Sequence, residues 1–97
     1  MKTHLVAWNF KDTLSASEKK QYALQLKTEL EALPSSISEL LELTVTTDLE
    51  STSTHEIMLY STFADLNALD LYQNHPDHLA VVPLIKEVLT DRICLDY

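Results

Sequence analysis

Between Thr3 and Lys11 the residues alternate: His4, Val6, Trp8 and Phe10 fall on one side, Leu5, Ala7, Asn9 and Lys11 on the other. A period of two is that of a β-strand, and here both faces carry apolar surface. The period then changes. Tyr22, Leu26, Leu30 and Leu33 recur at helical spacing, with Lys19, Lys20, Lys27 and Glu31 turned outward. Ahead of them, Ser15-Ala16-Ser17-Glu18 has the spacing of a capping box, in which hydroxyl and carboxylate satisfy orphan N–H groups. Pro34 stops this helix, because proline disfavours the helical conformation in the residue before it.

From Ile37 to about Thr47 the period returns to two, which predicts a second strand with Leu41, Leu43 and Val45 on one face and Leu40, Glu42 and Thr44 on the other. Residues 48–54 are polar and read as a loop, and His55 to about Ser61 alternates as a third strand. A second helix is expected from Thr62-Phe63-Ala64-Asp65 to about Asn74, with Leu66, Leu69 and Tyr72 inward. His75-Pro76 interrupts it, and Pro76 suits the first position of a further helix carrying Leu79, Val82, Ile85, Val88 and Leu89, bent at Pro83. Arg92 to Tyr97 predicts a short last strand. Strand, helix, strand, strand, helix pair, strand is the order of an α+β, ferredoxin-like split βαβ fold: one four-stranded antiparallel sheet with helices on one face. The bare face would then carry Leu5, Ala7, Met58 and Tyr60, too apolar to leave in water. Two such sheets packed face to face would bury them, so a homodimer, a dimeric α+β barrel, is expected.

Length agrees with that expectation. Ninety-seven residues make one domain, 1–97. A chain of this size buries only about two-thirds of its unfolded surface, so a second subunit helps. No uninterrupted apolar run exceeds four residues, far short of a membrane span, and the chain reads as cytoplasmic. Seven Lys and Arg against fifteen Asp and Glu give a net charge of −8, with Lys19-Lys20 as the one local basic pair. Phosphate backbones need clustered cations, so neither nucleic acid nor an anionic membrane is an expected partner. The absence of glycine excludes a P-loop and a glycine-rich dinucleotide fingerprint. One cysteine, Cys94, cannot form an internal disulfide or a cysteine metal cluster, and is expected to be a small buried side chain.

The residues with chemistry gather at the helix junction, where Tyr72, His75, Pro76 and His78 form a Tyr-x-x-His-Pro-x-His run. His4, on the bulky face of the first strand, would point toward the helices and approach Tyr72 or His78. Histidine is the side chain most easily poised between acid and base near neutral pH, and tyrosine can polarise a carbonyl or phenol. His78 reads either as a general base or as a helix-start histidine bonded to backbone. His75 reads as a helix cap or a ligand contact, Tyr72 as a core aromatic or a ligand contact, and His4 as a core or pocket histidine. Trp8 and Phe10 form core or pocket wall, since small-molecule pockets are themselves largely apolar. His75-x-x-His78 with His4 has three nitrogens for a divalent metal but no obvious carboxylate beside them, so neither a metal nor a cofactor is assigned.

His4-Leu5-Val6 through Phe10-Lys11-Asp12, Thr62-Phe63, the run Tyr72-Gln73-Asn74-His75-Pro76-Asp77-His78 and the terminal Asp96-Tyr97 together resemble the stress-responsive A/B-barrel (Dabb) family over essentially the whole chain. The resemblance implies a dimeric α+β barrel. Family members range from stress proteins without chemistry of their own to a plant polyketide cyclase, in which a similar His-Pro-x-His run supplies the general base. That role falls on His78, with Tyr72 assisting and His4 matching a pocket histidine of the first strand. Two further polar pocket residues of the cyclase fall on Leu26 and Ile57, so the same cyclisation is not expected, and a glycine usual in the family around Leu43 is missing. The expected function is a homodimer binding a small apolar or aromatic molecule between sheet and helices, with His4, Trp8 and His75 as ligand contacts. The alternative is a cofactor-independent cyclase or isomerase using His78 as base with Tyr72. A monooxygenase of the related dimeric barrels ranks below both.

Overall fold

The computed structural model describes all residues from Met1 to Tyr97. Strand β1 (Lys2–Phe10) leads to helix α1 (Ala16–Glu31) and a 3₁₀ turn (Leu33–Ser35). Strands β2 (Glu42–Thr46) and β3 (Ile57–Phe63) follow, then the short helices α2 (Leu66–Gln73), α3 (Pro76–Leu79) and α4 (Val82–Val88), and strand β4 (Leu89–Asp96). The sheet is antiparallel in the order β2-β3-β1-β4. This is the ferredoxin-like arrangement that the element order implied.

Local chemistry sets the helix starts. The Ser15 hydroxyl accepts from the Glu18 N–H while the Glu18 carboxylate accepts from the Ser15 N–H, completing the capping box. Asp65 caps α2 by accepting from the Ala68 N–H. His75 caps α3, with Pro76 in its first position.

Several boundaries differ from the sequence pattern. Residues 37–41 are turn rather than strand, because Ile37 and Leu40 close backbone bonds back onto Leu33 and Ile37. Leu40 is buried there and Leu41 exposed, the reverse of the face assignment made from a period of two. Thr62 and Phe63 prolong β3 instead of opening α2, pairing across the sheet with Thr3 and Lys2. Leu66 and Leu79 lie outward. Pro83 sits in the first turn of α4, where its missing N–H costs nothing, so it starts a helix rather than bending one. The last strand is longer than expected and begins at Leu89.

On the covered face, Val6, Trp8 and Phe10 of β1 and Ile57, Leu59 and Phe63 of β3 meet Leu26 and Leu30 of α1 and Tyr72 of α2 in one apolar core. On the other face the β1–β4 register sets Leu5 beside Leu95 and Ala7 beside Ile93, and no helix covers them. Leu95 is 57% exposed and Ile93 42%.

A bulge interrupts β4 next to β1, where the register shifts between Ala7 and Asn9. Asp91 takes a φ of 55° there. In a chain without glycine, Asp is among the residues that best tolerate this left-handed region. The Asn9 amide donates to the Asp91 carboxylate, and the Asp91 carbonyl lies 3.1 Å from His55 Nε2.

Candidate functional site

Between the covered face of the sheet and the broken helical segment lies a cavity of about 320 Å³. Val6, Trp8 and Leu59 form its sheet side, Leu30, Val82 and Ile85 its helical side, and Lys86 and Arg92 line it as well. His4, Tyr72 and His78 meet in it, three residues that the sequence pattern singled out from distant positions.

His78 stands at the start of the helical pair, with its ring 4.5 Å from the Tyr72 ring, which in turn packs 5.1 Å from Phe63. The His78 Nδ1–H donates to the Gln73 carbonyl at 3.0 Å. A carbonyl only accepts, so this bond fixes the neutral tautomer and leaves the lone pair on Nε2. Burial lowers the pKa of His78 below its ordinary 6.5, and the nearby His4 adds to the effect against the opposing bond to Gln73. Tyr72 is 1% exposed, and its phenol is pushed up to about 12 by burial. Its hydroxyl makes no bond to protein, and no fully buried polar atom in the chain lacks a partner, so the hydroxyl opens on the cavity. A neutral base and a neutral hydrogen-bond donor therefore stand side by side.

His4 is buried, with Nδ1 2.5 Å from Asp96 Oδ1. The register that sets His4 against Asp96 on the paired strands makes this contact. Ser61 donates to the His4 carbonyl and ties the strand beneath it. Asp96 was not among the residues singled out for chemistry, because its role depends on which strand lies beside β1. The Gln73 carbonyl is likewise invisible to sequence.

His75 does not join the cavity. Its Nδ1 accepts from the Asp77 N–H at 3.1 Å, which is the helix-cap reading and not the ligand contact. The His4, His75 and His78 set weighed for a metal is thereby separated. Cys94 is exposed rather than buried, since β4 is the edge strand and no helix lies over that end. A wider, open depression of about 1090 Å³ between α1 and the β2–β3 loop is lined mainly by polar residue types, and the Lys19–Glu56 ion pair lies along it.

The family model described as the stress responsive A/B barrel domain matches residues 3–97. The chain belongs to the stress-responsive A/B-barrel family. A dimeric ferredoxin-like protein of unknown function from Bacteroides fragilis is 31% identical, with a TM-score of 0.92, over 99% of this chain and 93% of that one. A Dabb family protein from Mesorhizobium loti is similar at 23% identity and TM-score 0.76, covering 99% and 93%. The hydroxynitrile lyase of Passiflora edulis shares the fold at 19% identity and TM-score 0.80, covering 99% and 90%. No curated protein matches the chain. No helix is long and apolar enough to cross a membrane. In this A/B-barrel domain Leu26 and Ile57, at the positions where the related cyclase was read as polar, are fully buried core residues.

Proposed function

We propose that the protein is a cytoplasmic homodimer that binds a small apolar or aromatic molecule carrying a carbonyl or hydroxyl group in the cavity between sheet and helices. The observation that carries this reading is the pairing of apolar walls with the free Tyr72 hydroxyl and the free His78 Nε2. Sites of this kind fix orientation with a few polar groups and take affinity from the apolar remainder. The bare sheet face with Leu5, Met58, Tyr60, Ile93 and Leu95 supports the homodimer, as do dimeric relatives of the same fold.

Trp8 is the one tryptophan of the chain and lines the cavity, so its fluorescence reports occupancy directly. Titration with benzaldehyde is expected to give a saturable change at one molecule per protomer. Tyr72→Phe should weaken binding about 2- to 10-fold, the worth of one hydrogen bond. A linear, unsaturable response in the wild-type protein would overturn the reading. For the dimer, Leu95→Glu should convert the native mass spectrum from dimer to monomer, and a wild-type monomer would remove that part of the proposal.

The fixed tautomer and lowered pKa of His78 favour a second reading, a cofactor-independent enzyme in which Nε2 removes a proton next to a carbonyl and Tyr72 donates to the developing oxyanion. Base catalysis of this kind is worth about 10²–10⁴-fold. Deuterium exchange into the methyl group of acetophenone, followed by NMR, should be accelerated by the wild-type protein and lose that factor in His78→Ala. Equal exchange in both proteins would leave binding without chemistry.

A further inference from the structure

Beside the cavity, a second group of side chains converges at the open edge of the sheet. Cys94 and Asp96 alternate onto the same face of β4, and His4 lies opposite Asp96 on β1. Cys94 Sγ is 3.7 Å from His4 Nδ1 and 3.6 Å from Asp96 Oδ1, and the two latter atoms are 2.5 Å apart. One nitrogen, one sulfur and one oxygen donor thus lie within 4.8 Å of one another.

Those spacings can be set against a metal tetrahedron. With ordinary zinc–ligand lengths, a tetrahedral site has edges of about 3.6 Å from sulfur to either other donor and about 3.4 Å from nitrogen to oxygen. Both sulfur edges already match. The nitrogen–oxygen edge is short because a proton, not a metal, joins His4 to Asp96, and it must open by roughly 1 Å to reach that length. Asp96 has the freedom to do so, being 40% exposed in its side chain, whereas His4 is held at 6%. Burial and the Asp96 carboxylate push the Cys94 thiol up, against a smaller opposing pull from Arg92, so a metal must displace its proton.

We propose that His4, Cys94 and Asp96 form a zinc site, with Nδ1, Sγ and a carboxylate oxygen as three ligands and the fourth position open to water. A mixed imidazole, thiolate and carboxylate set suits this borderline cation better than a soft cuprous ion or a hard Mg²⁺. Binding moves the His4 Nδ1 proton to Nε2 and displaces that of the Cys94 thiol, so it releases a proton and tightens as pH rises. The site shares His4 with the cavity wall, whereas Cys94 and Asp96 lie outside it.

The test is titration of chelator-treated, reduced protein with Co²⁺, followed by displacement with Zn²⁺. Expected are one Co²⁺ per chain, a thiolate-to-cobalt charge-transfer band, tetrahedral visible bands, and loss of all of these on adding zinc. Loss of a group that merely hydrogen-bonds to a ligand weakens metal sites about 10- to 100-fold, so Cys94→Ser, which removes a ligand, should abolish the charge-transfer band and weaken binding at least ~100-fold. Asp96→Asn should keep the band and weaken binding. His75→Ala, outside the set, should change neither. A wild-type titration without the charge-transfer band, or a band that survives in Cys94→Ser, overturns the proposal. Because Tyr72→Phe should leave the cobalt spectrum unchanged, a failed metal site and a failed cavity reading are distinguishable.

Discussion

The layer between sheet and helices has two halves that do different things. Under α1 the interface is solid: Leu26, Ile37 and Ile57 are essentially without exposure. Under α2 to α4 it holds a cavity, with Val82 and Ile85 only half-buried. The difference begins in the helices. One is a continuous sixteen-residue helix with a capping box, so its apolar stripe meets the strands without a gap. The other is cut by His75-Pro76 and again before Pro83 into short pieces whose axes cannot all follow the sheet. Stability concentrates in the first half. The second leaves room for a ligand and turns Tyr72 and His78 toward it.

Truncation should separate the halves most sharply. Leu26→Ala and Ile57→Ala are each expected to cost about 2–5 kcal/mol, the range for emptying a tightly packed site. Val82→Ala, on the cavity wall, should cost only about 1 kcal/mol, because its side chain is half-buried and borders space already empty. Urea unfolding at one protomer concentration measures all three. Equal losses would erase the distinction.

Acid should also act on the halves in different windows. In the cavity half, His78 has its pKa lowered below 6.5 by burial, so the unfolded chain takes up the proton more readily than the folded one. Its contribution is therefore complete above pH 6.5 and falls away as pH drops through the lower folded value. In the α1 half, the Glu31 carboxylate accepts from the Val45 N–H and from Lys27, which hold its pKa below 4.5. That contribution is complete above pH 4.5 and fades on further acidification. Stability measured against pH should lose its upper acid slope in His78→Gln and its lower one in Glu31→Gln. A single slope unaffected by either substitution would contradict the assignment.

At the alkaline end, Tyr72 is held neutral to about 12 while the unfolded phenol ionises near 10.0. Stability should therefore decline above pH 10 in the wild type and decline less in Tyr72→Phe. An effect as small as that of Val82→Ala belongs to the solvent end of α1, where Ser15→Ala should cost about 1 kcal/mol in urea unfolding without changing the cavity.

The sequence was most legible where the deciding interactions are local. The capping box at Ser15 and Glu18, the stop near Pro34 and the helix start at Pro76 each depend on residues within a few positions. It was least legible at residues 37–41 and 62–63. There an alternating or capping pattern competes with turn bonds and strand pairing supplied by other segments. Of the candidate site, the Tyr72–His78 pair was readable because six residues separate its members.

By itself the sequence determined the order of elements, the two-faced first strand and the interrupted helical segment, since periodicity, caps and prolines act over one or two turns. Only the tertiary structure decided that His4 meets Asp96, ninety-two positions away, and that Cys94 lies exposed beside them. It also decided that His75 caps a helix while His78 turns into the cavity. Those outcomes follow from strand register and from the position of an edge, which arise when distant segments pair and which no local pattern encodes.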